Sequence, residues 1–258
     1  MLSLIDTHTH LFVDEFNEDR GLMLIRAAEA GVLRMYVPNI DDCSVTAMLA
    51  LCDANENCFP LIGLHPTSVD DEWKQRLGVI KNWLISGRKF WGIGEVGLDL
   101  YWDTTYKTEQ MQAFDEQIQW ALQYDLPLSI HCRNAFPELF DVIEPYRGTN
   151  LRGIFHSFTG SEAEAEALLS YEGFMLGVNG VVTFKNSNLP VVLKSVPLSR
   201  VVLETDSPYL SPVPYRGKRN ESAYLVKVAE KLAEVYECSL AEVSTTTTKN
   251  AQIVFGRG

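Results

Sequence analysis

The sequence predicts an α/β fold, a (β/α)8 TIM barrel that forms a single domain over residues 1–258. Short apolar runs alternate with longer amphipathic segments, and this alternation occurs eight times. Such alternation is typical of a parallel sheet covered by helices. A barrel of eight units needs about 250 residues. The length of 258 residues therefore favours a barrel over a doubly wound sheet.

Eight apolar runs are the predicted strands. Their residues are apolar without clear alternation, which suits strands that are buried on both faces of a parallel sheet. In chain order the predicted strands cover residues 4–6, 33–37, 59–64, 91–95, 128–131, 151–156, 174–177 and 201–204.

Amphipathic segments between these runs are the predicted helices. The first, residues 22–30, is followed by Gly31, a residue type that commonly ends helices. The others cover residues 45–55, 72–86, 109–124, 136–146, 162–171 and the short 188–196, and then 223–236 and 240–255 after the last strand. The loop at 207–222 is rich in proline and contains the one local basic cluster, Arg216, Lys218 and Arg219.

Composition excludes several classes of protein. With 22 basic and 34 acidic residues the net charge is −12, which argues against wrapping of nucleic acid by an extended basic surface. An enzyme that holds a few phosphates through metal ions stays compatible with it. The sequence has no apolar stretch of about 18 residues, so we expect no membrane partner. Five cysteines without a Cys-x-x-Cys motif, and no signal peptide, predict reduced thiols in the cytoplasm.

All five histidines lie at the carboxyl ends of predicted strands. His8 and His10 come after the first strand, and residues at i and i+2 of an extended chain project from the same face. His65 and Asp206 follow the third and eighth strands, and the fourth, fifth and sixth strands end at Glu95, His131 and His156. Catalytic groups of a barrel collect at this carboxyl-terminal mouth. Imidazole and carboxylate ligands suit zinc, manganese, iron or cobalt, and a bridging carboxylate allows a two-metal centre.

Each of these motifs has a structural interpretation when it stands alone. A His-x-His pair can be hydrogen-bonded in a core, and the segment that begins at Asp206 can be a turn or a helix cap. The coincidence of these motifs at the ends of several predicted strands favours a metal centre.

Cationic and aromatic residues near the mouth are equally open to two interpretations. Arg133 follows His131 by two residues and is either a phosphate-binding fork or a surface salt bridge. The basic cluster at 216–219 is either a phosphate contact or a solvated loop. Aromatic side chains in the loops after the first and fourth strands either cap the barrel or stack bases: Phe12, Phe16, Tyr101 and Trp102.

The ordered motifs resemble those of the TatD family of metal-dependent deoxyribonucleases, within the amidohydrolase-like barrel superfamily. The resemblance runs along essentially the whole chain. It rests on IDTHTH at 5–10, GLHP at 63–66, GEVGLD at 94–99, LPLSIHCR at 126–133, HSFTG at 156–160, LETDSPYL at 203–210 and RGKRNE at 216–221. Asn134 and Ser222 depart from the family pattern. Neither is a predicted ligand, so these departures concern substrate preference.

The resemblance implies two divalent metal ions, of magnesium, manganese or zinc. One ion is held by His8, His10, Glu95 and Asp206, and the other by Glu95, His131 and His156, with Glu95 bridging. It also implies hydrolysis of DNA phosphodiester bonds by a metal-activated water, from the 3′ end of single strands that bind transiently. Catalytic roles fall to Glu95 and Asp206, and His65 and Arg133 hold the substrate phosphate. No obligate protein partner is expected.

Two other functions compete with this interpretation. One is a metal-dependent deacylase or amidase on the same barrel, and the other is a metal-binding scaffold without turnover. The position of Arg133 and the basic cluster favour a phosphate substrate over a carbonyl substrate. Every predicted ligand position is filled, which favours an enzyme over a scaffold.

Overall fold

Short parallel strands form the inner layer of the protein. The computed structural model describes residues 2–256. Within them the strands are β1 (Leu4–Asp6), β2 (Val32–Pro38), β3 (Cys58–Leu61), β4 (Ile93–Asp99), β5 (Leu128–Arg133), β6 (Gly153–Phe155), β7 (Phe174–Val178) and β8 (Val201–Leu203). They pair in chain order as two parallel ladders, β1 to β3 and β4 to β8.

A few backbone contacts join the two ladders. Between β3 and β4, Ile62 forms an isolated parallel bridge with Ile93, and the Gly94 N–H donates to the Ile62 carbonyl at 3.0 Å. Between β8 and β1, the Thr7 N–H donates to the Leu203 carbonyl at 3.0 Å. The strand order is that of the predicted (β/α)8 barrel, with the regular ladder interrupted at these two junctions.

Helices cover the outside of the strands. Within residues 2–256 they are α1 (Arg20–Glu29), α2 (Val45–Ala54), α3 (Trp73–Leu84), α4 (Lys107–Gln123), α5 (Phe136–Ile143), α6 (Glu162–Leu169), α7 (Leu189–Val192), α8 (Leu225–Val235) and α9 (Leu240–Phe255). The helix predicted at 136–146 ends as a 3-10 turn, Glu144–Tyr146, because Pro145 lacks the N–H that the α-helix needs. None of these helices is long and apolar enough to cross a lipid bilayer.

The carboxyl-terminal helix α9 packs against the amino ends of the strands. The Phe255 ring stacks on Tyr36 with 3.8 Å between centroids. Arg152, just before β6, donates to the Val254 carbonyl at 3.2 Å. Phe255 and Tyr36 belong to a buried apolar cluster with residues of five strands, including Ile5 and Met175. The amino end of the barrel is therefore filled by apolar side chains, which leaves the carboxyl end for a polar site.

The ends of β3 and β4 differ most from the prediction. β3 ends at Leu61 rather than at residue 64, because the Asn39 side chain bonds both backbone groups of Gly63, at 2.8 and 2.9 Å. β4 continues to Asp99 rather than ending at Glu95, and Asp99 pairs in register with Arg133 of β5. Glu95 thus lies inside its strand.

Candidate metal centre

A cavity of about 670 Å³ opens at the carboxyl ends of the strands. Its lining contains all of the predicted site residues except His8, which is fully buried. The structure therefore brings the whole predicted set together. The predicted residues on the wall are His10, His65, Glu95, His131, Arg133, His156 and Asp206.

Glu95 lies at the centre of the site, and imidazoles surround it. Its Oε2 atom is 3.1 Å from His8 Nε2 and 3.4 Å from His10 Nε2. Its Oε1 atom is 2.9 Å from His131 Nδ1 and 3.2 Å from His65 Nε2. Both carboxylate oxygens are thus directed at different imidazoles, which is the arrangement that a carboxylate bridging two cations requires.

The tautomer of His10 shows that this cluster suits a cation. His10 Nδ1 is 3.2 Å from the Pro38 carbonyl oxygen, which can only accept a hydrogen bond. Nδ1 therefore carries the proton, and the neutral ring presents the Nε2 lone pair to the Glu95 carboxylate. It also lies 3.2 Å from His8 Nε2. A cation would be stabilised between the His10 lone pair and the Glu95 carboxylate, and backbone-oriented histidines are typical metal ligands.

His156 and Asp206 form a second part of the same cluster. His156 Nε2 is 3.6 Å from Asp206 Oδ1 and 3.7 Å from Glu95 Oε1. The His156 ring stacks on His8 with 3.4 Å between centroids. Among residues 2–256 there are three sets of side chains in which the donor atoms of the set all lie within 4.8 Å of one another. The sets are His8, His10 and Glu95; His8, His156 and Asp206; and His65, Glu95 and His131. The division of ligands between two ions stays a prediction.

His65 differs from the other histidines in the atom that its surroundings protonate. The backbone N–H of Thr67 donates to His65 Nδ1 at 3.1 Å. Nδ1 is therefore the acceptor, and in the neutral ring Nε2 carries the proton and is directed into the cavity. This tautomer makes His65 a hydrogen-bond donor, directed here at Glu95 Oε1 3.2 Å away on the cavity wall.

Burial and neighbouring charges shift the pKa values in opposite directions. Burial raises the pKa of Glu95, but His65 and His8 outweigh it and hold that pKa well below its ordinary value. Burial lowers the pKa of His131, but bonds to Asp99 and Glu95 raise it to about 9. Burial raises the pKa of Asp206 to about 6. Burial and the charges of neighbouring groups thus act in opposite directions throughout this cluster.

The sequence analysis did not select two buried carboxylates of the site, Asp99 and Glu204. Asp99 Oδ2 is 2.9 Å from His131 Nε2, and Glu204 Oε1 is 3.1 Å from His156 Nδ1. Asp99 hydrogen-bonds the His131 nitrogen that faces away from Glu95, and Glu204 lies at ion-pair distance from the corresponding nitrogen of His156, so each carboxylate helps to orient an imidazole. Asp99 is four residues after Glu95 on the same strand, so its period of two was a usable signal. Glu204 directly follows β8. Gly177 makes room for it, since a Cβ atom there would lie 2.3 Å from Glu204 Oε2.

In the predicted basic cluster, Arg216 and Arg219 contact other side chains of the protein and Lys218 is exposed. Arg219 forms ion pairs with Asp19 at 2.6 Å and with Glu221 at 3.6 Å. The Arg216 guanidinium lies 3.6 Å from the centroid of the Phe184 ring. Neither lines the cavity, whereas Arg133 does.

Among the aromatic residues of the loops, Phe12 and Phe16 are core residues with exposures of 8% and 0%. Tyr101 and Trp102 are exposed. Tyr209, which the sequence analysis did not select, is also exposed and lines the cavity.

Comparison with known proteins places these features in one family. The family model described as TatD related DNase matches residues 5–256. An uncharacterized metal-dependent hydrolase of Bacillus subtilis, YabD, is 36% identical over 253 residues, with 98% of both chains covered. A protein of Pectobacterium atrosepticum named 3'-5' ssDNA/RNA exonuclease TatD is 30% identical and covers 98% of this chain and 99% of its own. The crystal structure of YJJV, a TatD homologue from Escherichia coli, has a TM-score of 0.92 and 29% identity, covering 99% of this chain and 98% of its own.

Proposed function

Because the chain belongs to the TatD related DNase family, we propose that it hydrolyses phosphodiester bonds of DNA, from the ends of single strands. Family membership makes the chain a metal-dependent hydrolase. The observation that carries the choice of substrate is the guanidinium of Arg133 on the wall of a cavity filled with imidazoles and carboxylates. Planar guanidinium groups match the geometry of phosphate oxygens.

The residues that would hold the metal are those that surround Glu95. One ion would take His8, His10, Glu95 and Asp206, whose imidazole and carboxylate atoms are 3.1–3.9 Å apart. The other would take Glu95, His131 and His156, since Glu95 Oε1 is 2.9 Å from His131 Nδ1 and 3.7 Å from His156 Nε2. Divalent cations in such a site polarise a phosphoryl oxygen and lower the pKa of water. Asp99 and Glu204 hold the rings of His131 and His156 in the orientation that this requires.

The protein's own groups have distinct roles around the phosphate. Asp206 has a side chain that is 14% exposed to the cavity, so its carboxylate can contact both the metal and a water molecule and accept a proton from that water. His65 donates from Nε2 to a nonbridging oxygen, and Arg133 donates to another. These donors stabilise negative charge that grows on the phosphate during displacement.

The size of the cavity favours a strand end as substrate. Cavities of about 300–1,000 Å³ enclose ligands of drug size, and a volume of about 670 Å³ therefore suits a nucleotide unit rather than a duplex. The relative from Pectobacterium atrosepticum is named as an exonuclease on single-stranded DNA and RNA, which supports the same choice. We place the activity in the cytoplasm, where the five free cysteines stay reduced.

The test is a time course on end-labelled single-stranded DNA. Metal-free protein receives Mg²⁺, Mn²⁺ or Zn²⁺, and the substrates are linear strands labelled at either end, blunt duplex and closed single-stranded circles. We expect progressive release of mononucleotides from linear strands, with slower cutting of duplex and resistance of circles. Rapid cutting of circles would reject the exonuclease. Hydrolysis of ester or amide panels without hydrolysis of DNA would reject the nuclease in favour of a deacylase or amidase.

A further inference from the structure

An exposed aromatic pair stands beside the cavity. Tyr101 and Trp102 follow β4, their side chains are 49% and 73% exposed, and their rings meet edge to face with 4.8 Å between centroids. Trp102 lines the cavity wall. A tryptophan left this open forgoes the free energy of burial that a large apolar side chain normally gains. Its position at the mouth is therefore one where a ligand can cover it.

The guanidinium of Arg133 is held against this aromatic pair. It lies 3.8 Å from the centroid of the Tyr101 ring and 5.2 Å from that of Trp102, within the range of cation–π contacts. Among residues 2–256 no carboxylate lies within salt-bridge distance of it. One face of Tyr101 is thus used to orient Arg133, and the hydrogen-bonding edge of the guanidinium stays available to an anion.

The carboxylate of Asp99 ties this group to the metal centre. Its Oδ1 atom accepts from the Tyr101 backbone N–H at 3.0 Å, and its Oδ2 atom is 2.9 Å from His131 Nε2. The Leu100 N–H donates to the Arg133 carbonyl at 2.9 Å. Arg133 follows His131 by two residues of one strand, a rise of about 7 Å. The aromatic pair, Arg133 and a predicted metal ligand therefore form one connected unit.

We propose that Tyr101, Trp102 and Arg133 form a nucleotide-binding platform next to the scissile phosphate. Trp102 stacks on the base of a nucleotide at the strand end, and Arg133, oriented by Tyr101, holds the phosphate of that nucleotide. Recognition by an aromatic face is independent of the base, because every base has a π-face. The platform rests on the proposed nuclease function and explains how an acidic protein retains a single strand without an extended basic surface.

The test separates base stacking from catalysis by comparing two substrates. One is a short single-stranded oligonucleotide, and the other is the same strand with abasic sugars at the two terminal nucleotides of the digested end. Each is hydrolysed by the wild-type protein, Trp102→Ala and Trp102→Phe. Tyr124→Ala is the matched control, since Tyr124 is an exposed aromatic residue that follows α4 on the opposite side of the fold.

The platform predicts that the wild-type protein prefers the strand with bases by about 5- to 100-fold in kcat/KM, through KM. Trp102→Ala reduces this preference to about twofold or less, and Trp102→Phe and Tyr124→Ala retain it. An equal loss on both substrates, or no loss in Trp102→Ala, overturns the platform while the nuclease function stands. If the wild-type protein hydrolyses neither strand, the proposed function itself fails.

Discussion

At its carboxyl end the barrel buries Glu95, Asp99 and Glu204 among imidazoles, whereas at its amino end it buries the stacked rings of Tyr36 and Phe255 among aliphatic side chains. Both ends are closely packed, but burial changes the stability of the fold in opposite directions at the two ends. Burying apolar rings stabilises the fold, while burying carboxylates costs stability unless cations compensate for them. The residues at the carboxyl end therefore serve to bind a ligand, whereas those at the amino end stabilise the fold. The predictions below change residues at one end or the other and separate effects on function from effects on stability.

The largest effect is expected at Glu95. Glu95→Gln keeps the volume of the side chain but removes the charge that five imidazoles share. We therefore expect kcat/KM to fall at least about 1,000-fold, the loss typical when a group that stabilises the charge of the transition state is removed. The amide should leave the fold intact, and circular dichroism with thermal melting verifies this. Activity within tenfold of the wild-type protein would make Glu95 a structural residue.

At the amino end, Phe255→Ala should change stability and not chemistry. Truncation of a buried phenylalanine costs about 3–5 kcal/mol of unfolding free energy, and Phe255 is 6% exposed. Denaturant unfolding measures this loss, and kcat of the folded variant at 25 °C should equal that of the wild-type protein. Phe255→Leu is the milder control and should lose less. A large fall in kcat for Phe255→Ala would show that the two ends are coupled.

An intermediate effect is expected for Glu204, which touches a predicted ligand but not the cavity. Glu204→Gln weakens its hold on His156 Nδ1, and loss of such supporting contacts typically costs about 10- to 100-fold in metal affinity or activity. Titration of metal-free protein with Zn²⁺ or Mn²⁺ gives the affinity. Excess metal should restore part of the activity of Glu204→Gln but none of that of Glu95→Gln. Unchanged metal affinity would contradict the positioning role.

The two ends also differ in how well the sequence predicts them. Period and spacing locate the strands and the residues around Glu95, because strand ends of a parallel barrel meet at one mouth. They do not show that Arg219 is paired with Asp19, a contact across 200 residues that depends on the folded loop. The period of two relates Asp99 to Glu95, but it does not predict that β4 extends far enough to place Asp99 beside His131. These features follow from tertiary hydrogen bonds, which no local pattern encodes.

The smallest effect concerns salt, and it compares two arginines with different partners. Each phosphate contact on a single strand contributes about −0.7 to the slope of log affinity against log salt. Arg133 faces the cavity, so Arg133→Ala should make the slope shallower by about 0.7. Arg219 forms ion pairs with Asp19 and Glu221, and Arg219→Ala should leave the slope unchanged while lowering thermal stability.

Because few cationic side chains reach the cavity, the wild-type slope itself should be no steeper than about −4. Fluorescence anisotropy of a labelled single strand between low and moderate salt measures all three slopes. A steeper wild-type slope, or an equal change in both variants, would reveal a basic surface that retains DNA away from the metal centre.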